Sequence, residues 1–267
     1  MTTAQARTAP VLLEETDGHV RILTLNRPER RNALNGELID RLTRAIADAE
    51  ADTDVWVLVL TGSGSAFCAG GDLKEMAAAD GASDTTRQVR PPVAVTRSVF
   101  EMITQMQTPV VAALNGPAVA GGFELALACD LRVASEDAVF GLPEAKRGMG
   151  AAFGTVLLPR LIPPAIAMEL LYTGRTMNAE EARRLGLLNR VVAAGQVLET
   201  ALGLARTIAM NAPLTVRRMK ANVYGTSGLP LPVALQLNLG PDPYASEDRV
   251  EGVRAFVEKR EPQWKNR

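Results

Sequence analysis

The sequence predicts a mixed α/β chain over about its first 190 residues, followed by a purely helical tail. Three observations carry that prediction. Short runs rich in valine and leucine, Val55–Thr61 and Pro109–Leu114, have the length and branching of buried strands. Ahead of them, apolar residues recur at helical spacing, as in Leu38, Leu42, Ala45, Ile46 and Ala49. From Gly195 onward only helical patterns remain. The chain divides on this basis into residues 1–194 and a helical region over 195–267. Periodicity alone suggests a doubly wound sheet for the first part.

Taken in order, His19–Asn26 alternates as a half-buried strand and stops at Arg27-Pro28. Asn35 is placed to cap the helix that follows. After Val55–Thr61 comes a glycine-rich loop, Gly62–Gly71. It lacks the Gly-Lys-Ser/Thr ending of a phosphate-binding loop and the spacing of a dinucleotide fingerprint. Asp72–Ala79 reads as a short helix, Asp80–Pro92 as a polar loop, and Val93–Gln107 as a helix. Asn115-Gly116-Pro117 breaks the strand Pro109–Leu114, and the run FELALAC after Gly121-Gly122 suits a buried helix or a second buried strand, with the Gly pair favouring the helix. Ala151–Leu171 is helical, with interruptions expected at Pro159 and Pro163-Pro164. Asn178 and Glu181 form a capping-box start to a short helix, and Leu187–Val192 is a strand. The tail is expected to hold helices at Gln196–Asn211, Leu214–Tyr224, Leu231–Leu239 and Ser246–Lys259.

Composition narrows the chemistry. With 47% apolar and 22% charged residues the chain has the make-up of a globular enzyme. A net charge of −1 argues against nucleic-acid and membrane partners. The first nine residues are polar and no apolar run approaches the ~18 residues of a membrane span. Two cysteines, Cys68 and Cys129, and one histidine, His19, offer no disulfide framework, no metal set and no Ser-His-Asp triad. A reducing, cytoplasmic setting is expected. His19 reads as a turn residue at a strand edge. Acid–base chemistry must rest on carboxylates, lysine or tyrosine.

Two glutamates answer that requirement. Glu124 lies in FELALAC and Glu144 in FGLPEAK, 20 positions apart and both in apolar company. Glutamate is rarely buried unless paired or used. Burial favours the neutral acid and moves its pKa toward the range useful for proton transfer. The alternative is a buried ion pair, with Arg132 as partner to Glu124. The Gly121-Gly122 pair at a helix start offers N–H groups without intrahelical acceptors, which a ligand oxygen can approach closely. The alternative there is a tight turn with no ligand.

Several stretches together resemble the enoyl-CoA hydratase/isomerase (crotonase) family over nearly the whole chain. They are LNRPERRNALN (25–35), VLTGSGSAFCAGGDLKEM (59–76), PVVAALNGPAVAGGFELALACDLRVAS (109–135), FGLPEAKRG (140–148), AMELLYTGRTMNAEEARRLGLLNRVV (167–192) and AFVEKREPQW (255–264). The FGLPEAK form, Pro163-Pro164 and the C-terminal pattern most resemble its carnitinyl-CoA dehydratase branch.

The resemblance implies a spiral of ββα units and a C-terminal helical trimerisation region, assembled as a trimer or a dimer of trimers. It implies an oxyanion hole at Gly71 and Gly121, with Glu124 activating water and Glu144 giving a proton to Cα. It places an acyl-CoA thioester against Ala69 and the segment Gly71, Asp72, Leu73 and Lys74, with Phe256 and Lys259 reaching toward a neighbouring subunit's nucleotide. CoA is part of the substrate, and no separate cofactor or metal is implied. The implied reaction is reversible hydration of a 2-enoyl-CoA. The rivals are a carnitinyl-CoA dehydratase or an enoyl-CoA isomerase and, from another class, a non-catalytic acyl-CoA or nucleic-acid binder. One stretch departs from the hydratase pattern. After Glu144 the chain reads Gly148-Met-Gly-Ala-Ala-Phe-Gly154, without the family's proline and with one glycine where it has two. In the family this loop helps hold the catalytic water through a backbone N–H.

Overall fold

A computed structural model describes residues 9–82 and 97–267. The expected loop beyond residue 82, the helix start at Val93 and the first eight residues lie outside the described residues. The elements run Leu12–Asp17 (β1), Val20–Leu25 (β2), Gly36–Ala51 (α1), Val57–Gly62 (β3), Leu73–Ala82 (α2), Val99–Gln105 (α3), Val110–Leu114 (β4), Ala118–Val119 (β5), Gly121–Ala128 (α4), Leu131–Ser135 (β6) and Val139–Gly141 (β7). They continue through Ala152–Leu161 (α5), Pro164–Thr173 (α6), Thr176–Asn178 (β8), Ala179–Arg184 (α7), Arg190–Val192 (β9), Val197–Ala209 (α8), Pro213–Gly225 (α9), Leu231–Ala234 (α10) and Glu247–Glu258 (α11).

The larger sheet has six strands in the order β1-β2-β3-β4-β6-β9, parallel except for the β1–β2 hairpin. A smaller sheet joins β5, β7 and β8. Three times, two strands lead into a helix: β1-β2-α1, β4-β5-α4, and β6-β7 with the turn before α5. The second strand of each later unit goes to the small sheet, so the chain spirals between two sheets. The doubly wound sheet suggested by periodicity is therefore not what forms.

The central strands are continuous apolar runs because both of their faces are covered. Leu23, Leu25, Leu58, Leu60, Val110, Ala112 and Leu114 face the core beneath α1, α3 and α4. The alternate residues Val20, Ile22, Val57, Val59, Val111 and Ala113 face the opposite way, onto α8. Helix α8 buries Val197, Ala201, Leu202 and Ala205 on that face. The boundary expected at residue 195 thus falls inside the packing unit, which extends through Ala209. Helix α9 is tied down as well, by Lys220, whose Nζ donates to the Ile103 and Thr108 carbonyls and pairs with Asp130 Oδ2 at 2.8 Å.

Other expectations resolve residue by residue. The Asn35 side chain accepts from Leu38 N–H at 3.0 Å, and the five apolar residues of α1 named above are buried. Asn178 caps α7 through Glu181 N–H, but Glu181 turns its carboxylate to Arg175, so the capping box is half made. Helix α5 runs through Pro159 and ends only before Pro163, because Pro159 sits in its last turns. The helix expected at Leu231–Leu239 stops at Ala234. Leu231, Val233 and Leu235 are all exposed, so no packed face carries it further. The strand expected at Leu187–Val192 shortens to β9. β1 and the strands from β5 to β8 had no counterpart in the sequence reading.

Candidate active site

The site forms where two loops press backbone against backbone. Cys68 bridges Ala118, and Val119 N–H donates to the Cys68 carbonyl at 3.0 Å. A Cβ at Gly122 would lie 2.1 Å from that carbonyl oxygen, so only glycine permits the approach. Gly70 has φ +87°, and a Cβ there would meet the Ala120 methyl at 2.6 Å. Ala120 itself holds φ 54°, ψ −132°, a costly backbone for a residue with a side chain. Its N–H bond to the Gly141 carbonyl, 2.8 Å, and the bonds its own carbonyl accepts from Phe123 and Glu124 lock it there.

That geometry leaves two backbone donors free. Leu34 bridges Gly71, with Leu34 N–H on the Gly70 carbonyl and Asp72 N–H on the Leu34 carbonyl. Gly121 is the first residue of α4. Among the described residues, neither Gly71 N–H nor Gly121 N–H has a protein acceptor. Both residues line a cavity of about 440 Å³ that also reaches Glu124 and Glu144.

Glu124 is carried inward by α4 and is 7% exposed. Its Oε1 accepts from Gly154 N–H at 2.7 Å. Gly154 is the third residue of α5, so its N–H is one of the orphan donors of that helix start. The segment that departs from the family pattern therefore still supplies a backbone donor, and delivers it to the carboxylate itself. Burial raises the Glu124 pKa, and the hydrogen bonds from Gly154 and Phe153 oppose the rise.

Glu144 sits in a single tight turn, Pro143–Arg147, begun by proline and closed by Gly148 at φ 64°. It is 6% exposed, and its buried Oε2 has no partner. Its pKa is raised chiefly by burial. The nearby Glu124 charge adds to the rise, while its own backbone N–H and Arg147 pull the other way.

The ion pair considered for Glu124 is absent. Arg132 instead donates to the carbonyls of Ala126, Cys129 and Leu187, closing the C-terminal end of α4. Arg147 donates to Pro143 O, and Phe153 packs against Phe100 with ring centroids 5.5 Å apart.

The other expected contact residues divide. Asp72 lines the cavity, but Arg27 pairs with it at 3.0 Å and lowers its pKa. It also caps α2 through Glu75 N–H. Ala69 donates to the Arg31 carbonyl, while Leu73 and Lys74 lie exposed beside the cavity rather than in its lining. Phe256 and Lys259, at the end of α11, do not border the cavity within one chain. The structure adds lining residues that sequence reasoning missed: Leu34, Ile39, Glu75, Met76, Phe100 and Met149. Glu75 accepts from Gly36 N–H at 3.2 Å and joins α2 to the start of α1.

His19 and the cysteines take no part. The imidazole stacks on Trp56 at 3.5 Å and hydrogen-bonds the Asp54 carbonyl through Nδ1. Burial pushes both thiols up to about 12, which makes them poor nucleophiles. Among the described residues no acidic, histidine and cysteine side chains cluster as a metal set, and no helix is long and apolar enough to cross a membrane. What remains is a pair of buried carboxyls with raised pKa, lining one cavity with a pair of N–H groups that have no protein acceptor. That arrangement can polarise a carbonyl and move protons at the atoms next to it.

Comparison with known proteins shows the family. The enoyl-CoA hydratase/isomerase family model matches residues 15–267. Enoyl-CoA hydratase EchA19 of Mycobacterium tuberculosis is 38% identical, over 99% of this chain and 100% of its own. A carnitinyl-CoA dehydratase of Salmonella typhimurium is 40% identical, over 94% of this chain and 97% of its own. The crystal structure of an enoyl-CoA hydratase from Mycobacterium tuberculosis H37Rv aligns with a TM-score of 0.87 at 38% identity, covering 97% of this chain and 100% of that one.

Proposed function

The chain belongs to the enoyl-CoA hydratase/isomerase family, with its crotonase fold, and from that premise we propose a division of labour within the site for the reversible addition of water to a 2-enoyl-CoA thioester. The thioester oxygen accepts from Gly71 N–H and Gly121 N–H. As water adds at Cβ, the electrons of the double bond move toward that oxygen, and the two donors hold the enolate charge. One donor of this kind is worth roughly 2.7–4 kcal/mol in comparable oxyanion sites. Glu124, oriented by Gly154, takes a proton from the attacking water. Glu144 gives its proton to Cα, and the exchange runs backward for dehydration. Each placed carboxyl contributes about 10²–10⁴-fold. Proton transfer and carbonyl polarisation complete the reaction, so the proposal calls for no metal and no redox cofactor.

The observation that carries the reading is the meeting of two buried carboxyls, both with raised pKa, and two N–H groups without protein acceptors in one cavity. Exposed Arg30, Arg31 and Lys74 near the Ala69–Gly71 segment suit the phosphates of CoA. The same reading extends to a homotrimer or a dimer of trimers in the cytoplasm. In its support, Val250, Val253, Phe256 and Val257 stand exposed along α11. The test is crotonyl-CoA hydration by the parent, Glu124→Gln and Glu144→Gln. Each variant is expected to keep the fold and lose at least ~10²-fold in kcat. Near-parental turnover in either would take that residue out of the mechanism.

A further inference from the structure

An enolate held by Gly71 and Gly121 is an anion, and the cavity around it is acidic. Asp72, Glu75, Glu124 and Glu144 line it, and among the described residues no lysine or arginine does. In the mechanism above, Glu124 loses its charge as it takes a proton and Glu144 enters protonated, so neither opposes the enolate. Glu75 is exposed, and solvent screens it. Asp72 has neither relief. Its side chain is only 11% exposed, and it directly follows the Gly71 donor. Arg27 holds its carboxyl below the usual carboxylate range, so it is charged at neutral pH. Left alone, that charge would work against carbonyl polarisation at Gly71 N–H.

The compensating charge stands behind the lining. The Arg27 guanidinium donates to Asp72 Oδ2 at 3.0 Å and to the Ala33 carbonyl, and its side chain is 12% exposed. Among the described residues this is the one ion pair that reaches a carboxylate of the cavity lining. The arginine is fixed at its root. Its N–H donates to Asn32 Oδ1 at 2.8 Å, and its carbonyl accepts from Asn32 N–H at 2.9 Å. Asn32 is itself fully buried, with its amide nitrogen on the Ser63 and Ala66 carbonyls. Ala33 and Asp72 lie in the two segments that the Leu34–Gly71 bridge joins. In that bridge Leu34 bonds to Gly70 and Asp72, on either side of Gly71, so the Gly71 N–H turns away from Leu34. Arg27 grips the bridge on both segments.

We propose that Arg27 is a positioning residue for the oxyanion site, acting through Asp72: it cancels the negative charge beside Gly71 N–H so that the enolate can form there. This rests on the donors assigned in the hydratase reading, and adds to them a side chain that touches no reacting atom.

The experiment follows crotonyl-CoA hydration and, on binding, the absorbance of 2,4-hexadienoyl-CoA, whose band moves to longer wavelength as its carbonyl is polarised. Arg27→Met strips Asp72 of its cation. It should lower kcat at least about tenfold, keep KM within about threefold, and shrink the red shift. Adding Asp72→Asn removes the stranded charge, and should return most of kcat and most of the shift. A double variant as slow as Arg27→Met, with as small a shift, would overturn the inference and leave the pair a plain tether. A full shift in Arg27→Met would do the same. Should Arg27→Met fail to fold, Asp72→Asn decides alone. It leaves the arginine uncompensated near the donor, so its shift should equal or exceed the parent's, and a smaller one would refute the proposal. A parent that hydrates crotonyl-CoA without any red shift would sink the inference and leave the hydratase reading standing. A parent that shows the shift but hydrates no 2-enoyl-CoA would remove that reading, while the same shift measurements still judge Arg27.

Discussion

Replacing Gly154 by alanine isolates the contact that aims the carboxylate to which we assign water activation, Glu124. A Cβ at this position would stand 2.6 Å from Leu142 Cδ1 and 3.3 Å from Glu124 Oε1. Relieving the first contact to an ordinary 3.4 Å requires a shift of about 0.8 Å, taken up by Leu142 or by the start of α5. The same shift stretches the 2.7 Å bond from Gly154 N–H to Glu124. Overpacking of this kind costs about 1–3 kcal/mol. Alanine returns roughly 0.5–1 kcal/mol in a helix. The net loss of stability should thus be about 0–2.5 kcal/mol. Activity should suffer more, because misplacing a reacting group by about 1 Å can cost 10²-fold. Gly154→Ala is therefore expected to hydrate crotonyl-CoA about 10–100-fold more slowly, while still folding, with a melting temperature at most about 10 °C below the parent's. The loss of the enoyl thioester's ultraviolet absorbance follows the reaction directly. Parental kcat in a folded Gly154→Ala enzyme would refute the role given to this N–H.

Three further outcomes are expected. Burial lifts the Glu144 pKa above its ordinary 4.5, so the folded state keeps that proton to higher pH than the unfolded chain, and stability falls as pH rises through the interval. Glu144→Gln should then unfold at a higher temperature than the parent at neutral pH and lose that advantage below about pH 4, and a lower melting temperature at neutral pH would contradict the assignment. Lys220→Ala leaves Asp130 without its cation and should cost roughly 3–5 kcal/mol in denaturant unfolding, whereas a loss under about 1 kcal/mol would show the pair to be solvated. Light scattering should find a trimer or hexamer, and Lys259→Ala should raise KM for the thioester with kcat nearly unchanged; a monomer at micromolar concentration would remove the assembly, and an unchanged KM would leave Lys259 a solvated charge.

The legible parts of the chain were those with local physical signatures. Helix α1 could be read because Leu38, Leu42 and Ala45 recur at its period and Asn35 announces its start. β3 and β4 could be read because strands covered on both faces leave unbroken apolar runs. β1 could not, because it pairs only at the sheet's edge, and of its side chains only Leu12 is buried. The two- and three-residue strands of the small sheet are too short for any periodicity to show. At the site, Glu124 stood out as a charge within an apolar helix. The donor that orients it did not, because Gly154 lies 30 residues further on and acts through its backbone. The link from Arg27 to Asp72 was likewise invisible, since Arg27-Pro28 reads only as the end of a strand until the two segments fold together.

The late position of α8 bears on how the protein is made. β3 is finished at Gly62, yet the helix that covers its outer face is complete only at Ala209, 147 residues later. At about 5–20 residues per second, a ribosome needs roughly 7–30 s to cross that interval. For that time Val57 and Val59, joined once made by Val111 and Ala113, have no helix to lie against. The nascent chain must carry a naked apolar sheet face until most of it has been translated. Shielding by a chaperone, or by the pace of synthesis itself, then becomes part of what decides the yield of native enzyme.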